Sequence, residues 1–264
     1  MRNPTWTFRL YEQVRRTKMS LTANVRGPYG SKFVDCFNPE FGGAVLIGAG
    51  TGLTAALSLL RETVQLRAAG VDTPPRVWFV WSCRKVDDLL WCWDALSSLI
   101  VYAVEAGLFE INEPTPDSCM FDWLGVAIYV TRSTPGLVQQ FAQLHKTKLT
   151  TPKFDKSSSS TGGNDQLAIQ NVNVNVDTTR LSQRHRDAIQ SWLISRIIHG
   201  SLDSEKVHIN KLLQGARAVL DATDEHDCPL SVAFCGPSAL AATIEYAIRK
   251  TKTPGKVQFN ADHQ

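Results

Sequence analysis

Three glycines, Gly48, Gly50 and Gly52, follow an apolar run in the stretch GAVLIGAGTGLTA (43–55). A glycine-rich turn from a strand into a helix leaves backbone N–H groups uncovered, and the positive end of the helix dipole favours a negative group there. The chemistry indicated is phosphate binding, to which the dipole contributes only about 0.3–1 kcal/mol. The spacing is G-x-G-x-G, whereas the dinucleotide fingerprint is G-x-G-x-x-G. Taken alone, the loop leaves a structural turn open as the alternative interpretation.

Two cations, Arg84 and Lys85, follow the apolar run RVWFVWSC (76–83). In dinucleotide-binding sheets an acidic residue near this position holds the ribose 2′-hydroxyl, whereas an arginine accommodates a 2′-phosphate. Two cations and no carboxylate therefore favour NADP(H) over NAD(H), because a guanidinium matches phosphate oxygens well. A solvated, cationic helix start is the alternative interpretation.

Cys235 ends a further apolar run, LSVAFCG (230–236), and is followed by Gly236 and Pro237. If this strand lies beside the first one, its turn faces the glycine loop across one crevice. No histidine is placed by the sequence to activate the thiol, so covalent catalysis is disfavoured. Trp91 and Trp93 have a spacing of two and so lie on different helix faces; at least one of them is expected to be a packing residue.

Apolar runs alternate with helical periodicities along the chain, which predicts a doubly wound α/β fold with five parallel strands. The predicted strands are 43–48, 76–83, 123–132, 230–236 and 256–259. The predicted helices are 51–70, 86–107, 134–145, 186–200, 210–222 and 237–250. A serine run and few large apolar residues predict a disordered insertion at 146–180.

The composition excludes several classes of protein. The 264 residues carry a net charge of +3 without a basic stripe, which disfavours nucleic acid as a partner. No apolar run approaches the roughly 20 residues of a membrane-spanning helix. The six cysteines contain no C-x-x-C pair, so we expect reduced thiols and no metal site.

Five segments, in order over residues 20 to 260, resemble the dehydrogenase region of the NADPH oxidase and ferric reductase family, which is of the ferredoxin-NADP reductase type. They are RGPYG (26–30), VLIGAGTGLT (45–54), VWSCRK (80–85), FCGPSAL (234–240) and VQFN (257–260). WTFRLYE (6–12) is similar to the end of the family's flavin-binding barrel. The resemblance implies a barrel remnant with linker at 1–40 and an NADPH-binding domain at 41–264.

The resemblance also implies roles for the matching residues. Those expected at the NADPH pyrophosphate and nicotinamide ribose are Gly48, Gly50, Gly52 and Thr54. Arg84 would bind the adenosine 2′-phosphate. Those expected beside the nicotinamide are Cys235, Gly236 and Pro237, and the candidate catalytic residues are Cys235 and Thr54, with Cys235 shaping the hydride path. Those expected at the domain junction or the flavin are Pro28, Gly30, Thr7 and Phe259.

The function implied is hydride transfer from NADPH to FAD, followed by electron transfer through haems to ferric iron or oxygen, at the cytosolic face of a membrane. The family's flavin-barrel signature, H-P-F-T or R-x-Y-S, does not occur before GPYG. We therefore expect this chain to be the NADPH-binding lobe of a longer protein with a flavin barrel and a haem-bearing transmembrane domain, and to have little reductase activity alone.

Two alternatives remain open. A nucleotide-binding regulatory or interaction module without redox activity is favoured by Ala55, which stands where the family usually has proline. A dehydrogenase with its own small substrate would need a general acid near the nicotinamide, and no persuasive proton donor is evident in the sequence.

Overall fold

The computed structural model divides the chain into two compact units, Met1–Ser31 and Lys32–Gln264. It describes residues 12–13, 33–108, 123–132, 136–137, 140–141, 143, 183–199, 206–221, 228–250 and 257–263. In the smaller unit, residues 12–13 are helical. Thr7, Pro28, Gly30 and the predicted insertion at 146–180 lie outside the described residues.

A six-stranded parallel sheet forms the centre of the larger unit, with strand order β4-β3-β2-β1-β5-β6. The strands are β1 (Gly43–Ala49), β2 (Arg76–Cys83), β3 (Leu124–Val130), β4 (Ile197–His199), β5 (Leu230–Gly236) and β6 (Val257–His263). The doubly wound α/β prediction is confirmed. The predicted number of five strands is wrong, because the sheet has a sixth strand, β4.

The additional strand lies where helical spacing predicts a helix over 186–200. The chain instead leaves the helix at Ser195 and pairs Ile197–His199 with the last residues of β3. The final strand is also longer than the predicted 256–259, since β6 continues to His263 alongside the whole of β5.

Helices cover both faces of the sheet. On one face lie α1 (Leu53–Ala68), α2 (Trp93–Glu105) and α3 (Gln183–Ser195), and on the other lie α4 (Lys206–Asp221) and α5 (Ser238–Lys250). Successive residues of β1 alternate between the two apolar cores, with Leu46 in the first and Ile47 in the second. All seven residues of β1 are buried, as expected for a central parallel strand covered on both sides.

A buried amide joins α3 to α2. The Trp93 indole N–H donates to Gln190 Oε1 at 2.8 Å, and Gln190 Nε2 donates to Ser97 Oγ at 3.1 Å. Because a buried polar group without a partner is costly, this pair of bonds fixes the position of the two helices relative to each other.

The strand order reverses between β1 and β5. The crossover from β1 leads to β2 over the face covered by α1, while the crossover from β5 leads to β6 over the opposite face. Gly48 near the end of β1 is in register with Cys235 near the end of β5. In open α/β sheets the crevice beyond the carboxyl ends of two such strands is the ligand-binding position.

Within the described ranges, no helix is both long enough and apolar enough to cross a bilayer.

Candidate functional site

The glycine loop joins β1 to α1 through a single 3-10 turn at Gly50–Gly52. Gly50 has a φ of +57° and open space where a Cβ would be. A side chain there would be strained by the backbone conformation. Gly50 therefore turns the chain at a point where the backbone faces open space.

Gly52 brings the two turns of the crevice into contact. A Cβ on Gly52 would lie 1.9 Å from the carbonyl oxygen of Cys235 and 2.5 Å from its carbonyl carbon. The loop after β1 thus packs directly on the end of β5, which only a residue without a side chain permits. The prediction that the two glycine-bearing turns face each other is confirmed.

Trp81, near the end of β2, forms a hydrogen bond with the glycine loop. Its side chain is fully buried, and its indole N–H donates to the Gly50 carbonyl oxygen at 3.2 Å. The same carbonyl accepts the N–H of Leu53 at the start of α1. Sequence reasoning did not select Trp81, because its position within an apolar strand is that of any core residue.

Replacing Trp81 by phenylalanine is expected to lower the free energy of unfolding by about 1–3 kcal/mol, from one lost hydrogen bond and a small cavity. Trp91→Phe is the matched control: Trp91 is 64% exposed, so its change should stay within about 0.5 kcal/mol. Urea denaturation followed by circular dichroism measures both. Equal effects of the two substitutions would contradict a role for Trp81 beneath the loop.

The first turn of α1 is open to an anion. Its N-cap, Gly52, makes no side-chain capping bond, and the first turn contains no acidic residue. Thr54 is exposed, and its hydroxyl donates to the Thr51 carbonyl oxygen at 3.1 Å. Neither a carboxylate nor a capping side chain therefore competes for the positive end of this helix.

The tip of β2 differs from its sequence-based description. Arg84 and Lys85 are exposed, but a carboxylate is present as well: Asp88 Oδ2 accepts the backbone N–H of Arg84 at 3.1 Å and that of Lys85 at 3.0 Å. The statement that no carboxylate lies here is therefore wrong. Asp88 accepts these bonds because it lies in the first turn of the 3-10 helix Val86–Trp91. The sequence alone does not show that its carboxylate bonds to the main chain.

The predicted residues at the ends of β5 and β6 are in different surroundings. Cys235 is buried in the core on the α1 face, whereas Pro237 is exposed just beyond Gly236. Phe259 pairs with Val232 and packs on the other core, so it lies about three residues, roughly 10 Å, short of the carboxyl edge. The structure brings Gly48, Gly50, Gly52, Thr54, Cys235, Gly236 and Pro237 to one crevice but leaves Phe259 away from it.

The thiols of Cys83 and Cys92 are shielded from water. Burial raises the pKa of each from 9.0 to about 12, and for Cys83 the charge of Asp88 adds to this effect. Neither thiol is suited to nucleophilic chemistry at neutral pH, because the thiolate is the reactive species.

Alkylation by iodoacetamide at pH 8 should be on the order of 1,000-fold slower at Cys83 and Cys92 than at an ordinary thiol, since almost no thiolate is present. Peptide mass spectrometry measures this, with the half-buried, free Cys228 as the internal comparison. Rapid labelling of the native protein at these two positions would contradict this assignment.

The raised pKa values also predict that the free energy of unfolding falls as pH rises from about 9 towards 12, because the unfolded thiols ionise first.

The two tryptophans after β2 have separate roles. Trp93 is buried against Phe141 in an edge-to-face contact with ring centroids 5.0 Å apart, which confirms that one of the pair is a packing residue. Trp91 is exposed at the same edge of the sheet as Arg84. A groove of about 430 Å³ between α1 and α2 begins at Thr54 and includes Ser58, Arg61 and Tyr102; it shares Thr54 with the crevice between β1 and β5.

A doubly wound parallel sheet with a glycine turn at the reversal of strand order defines a nucleotide-binding domain of the Rossmann-like class. Residues 43–114 match the sequence model of the ferric reductase NAD-binding domain. The match covers 72 of the 264 residues and supports a ferric-reductase-type NAD-binding domain, a pyridine-nucleotide-binding lobe of an oxidoreductase. A search of curated proteins found no significant match.

Proposed function

We propose that this domain binds NADPH across the carboxyl edge of β1 and β5 and presents its nicotinamide to FAD on a flavin-binding barrel, with onward electron transfer through haems to ferric iron or oxygen. When bound, NADPH supplies a hydride and leaves as NADP⁺, and the flavin accepts both electrons. The flavin barrel, the haem domain and the position at a membrane are part of this proposal.

The observation that carries the proposal is the contact of Gly52 with the Cys235 carbonyl. It holds the two turns edge to edge, so that one extended ligand can lie over both. The uncapped first turn of α1 supplies backbone donors for the pyrophosphate. Cys235 and Gly236, at the end of the neighbouring strand, would border the nicotinamide.

Thr54 is proposed to orient the ribose next to the pyrophosphate. Its hydroxyl hydrogen is already directed to the Thr51 carbonyl, so the remaining lone pairs of the oxygen face outward as acceptors. Thr54 and Cys235 would thus position the reacting ring without taking part in bond making. These positioning roles suit a domain that contributes binding and orientation to the reaction.

Arg84 is proposed to discriminate NADPH from NADH by binding the 2′-phosphate. Its side chain is exposed at the tip of β2, and a guanidinium forms charge-assisted hydrogen bonds with phosphate oxygens. Asp88 Oδ2 accepts two backbone N–H groups at the same tip, which holds this carboxylate against the main chain, whereas the acidic residue of NAD-specific domains faces the ribose 2′-hydroxyl.

Titration of the purified chain with NADPH and with NADH in a calorimeter tests the proposal. We expect NADPH to bind at least about tenfold more tightly than NADH, which is the effect of one charge-assisted contact. Absence of binding by both nucleotides would contradict the proposal and favour a regulatory or interaction module. Stoichiometric bound flavin with steady NADPH turnover by this chain alone would contradict the assignment of flavin binding to a separate barrel.

A further inference from the structure

Arg132 lies beside Arg84 at the carboxyl edge of the sheet. Its backbone N–H donates to the Arg84 carbonyl oxygen at 2.8 Å, and the preceding Thr131 N–H donates to the Cys83 carbonyl oxygen at 3.0 Å. Because these donors are consecutive residues, whereas alternate residues donate in a regular parallel ladder, the chain turns against the tip of β2 here, and the two arginine backbones lie about 5 Å apart. Both arginine residues are exposed, so two guanidinium groups are available to a ligand at this tip.

The charges around this tip show why one arginine is insufficient. Arg84 and Lys85 are followed by Asp87 and Asp88, so the two cations of this segment are balanced by two carboxylates. Asp88 is held at the tip by its bonds to the Arg84 and Lys85 N–H groups. Among the described residues of this tip, the additional positive charge therefore comes from Arg132, which follows β3.

A phosphomonoester carries a charge of about −1.5 to −2 at pH 7 and has three acceptor oxygens. Near the carboxylate of Asp88, a single guanidinium would leave most of this charge uncompensated. Two planar guanidinium groups on neighbouring strands can bind different oxygens of the same phosphate in bidentate fashion.

We propose that Arg132 is a second specificity residue, and that Arg84 and Arg132 together bind the 2′-phosphate of NADPH. This inference rests on the proposed function and deepens it. It names a residue outside the segment 43–114 that matches the family, and it assigns the preference for the phosphorylated nucleotide to the pairing of β2 with β3.

The test compares Arg132→Ala, Arg132→Lys and, as a control with the same loss of charge, Arg61→Ala. Arg61 is exposed in the middle of α1, where it lines the groove between α1 and α2. The dissociation constants of NADPH, NADH, 2′,5′-ADP and AMP are measured by calorimetry for each variant, after circular dichroism has shown that it is folded.

Arg132→Ala should raise the dissociation constants of NADPH and 2′,5′-ADP about 10- to 100-fold, as expected for one charge-assisted contact. Those of NADH and AMP should stay within about twofold. Arg132→Lys should recover part of the loss, because it keeps the charge without the planar fork. Arg61→Ala should change none of the four.

If the wild-type chain prefers NADPH and Arg132→Ala keeps the same ratio of NADPH to NADH affinity, the inference is overturned while the proposed function stands. If the wild type binds neither nucleotide, the proposed function fails and the inference with it. Equal weakening of all four ligands would also overturn the inference, since a structural role would produce it. If Arg132→Ala does not fold, the ratio of NADPH to NADH affinity is measured for Arg132→Lys, and an unchanged ratio overturns the inference.

Discussion

Replacing Gly52 by alanine should destabilise the domain by about 3 kcal/mol or more, the largest effect of any single methyl group in the described structure. The added Cβ would lie 1.9 Å from the Cys235 carbonyl oxygen and 3.1 Å from the Gly236 nitrogen. These are backbone atoms of the central strand β5, so no side-chain rotation can relieve the overlap. Overpacking of this kind costs about 1–3 kcal/mol when side chains can adjust, and here the sheet itself must move.

Gly215→Ala is the matched control for this substitution. Gly215 is an exposed residue of α4, and its Cβ would meet nothing within 4 Å. Removing a helical glycine should leave the stability unchanged or raise it by up to about 1 kcal/mol. Guanidinium denaturation of the wild type and both variants measures the difference. A Gly52→Ala protein within about 1 kcal/mol of the wild type would show that the two turns are not in contact.

Arg84→Glu should raise the dissociation constant of NADPH more than about 100-fold, because it removes a charge-assisted contact and adds a charge that repels the phosphate. The affinity for NADH should be kept or improved, since an acidic residue at this position can accept a hydrogen bond from the ribose 2′-hydroxyl. The preference between the two nucleotides should therefore invert. Calorimetric titration of each nucleotide measures the inversion.

Arg61→Glu is the control for the change of net charge. It introduces the same reversal on the exposed surface of α1, and at 0.15 M salt its effect at the tip of β2 should be largely screened. Parallel loss of NADPH and NADH affinity in Arg84→Glu would mean that Arg84 supports the site as a whole. Unchanged NADPH affinity would remove Arg84 from the site.

The long central strands could be predicted from the sequence because their apolar runs are continuous and end in clear turns. The predicted bounds of β2 are those observed, and β1 ends one residue later than predicted, at Ala49. β4 could not be predicted, since three residues directly after a helix carry no period of their own. The second half of β6 could not be predicted either, because three of its four residues, Asn260, Asp262 and His263, are polar and the strand is defined by its pairing with β5.

The residues of the candidate site also differ in whether the sequence predicts them. Gly48, Gly50 and Gly52 could be found because glycine spacing at the end of a strand is a local signal. The positions of Trp81 and Arg132 next to the site depend on hydrogen bonds to residues 31 and 48 positions away along the chain, and no local pattern indicates these bonds. The backbone bonds of Asp88 could not be predicted, because a carboxylate that caps its own turn has the same sequence signature as one exposed to water.

The position of the nucleotide can be measured directly by NMR titration of the ¹⁵N-labelled chain with NADP⁺. Two glycines serve as internal controls: Gly70 and Gly107 have positive φ angles and open surroundings like Gly50, but they follow the carboxyl ends of α1 and α2, at the opposite edge of the sheet. The account predicts saturable shifts of the amide signals of Gly50, Gly52 and Gly236 and none at the two controls. Saturable shifts confined to Gly70 and Gly107, or to residues of the groove between α1 and α2, would contradict it.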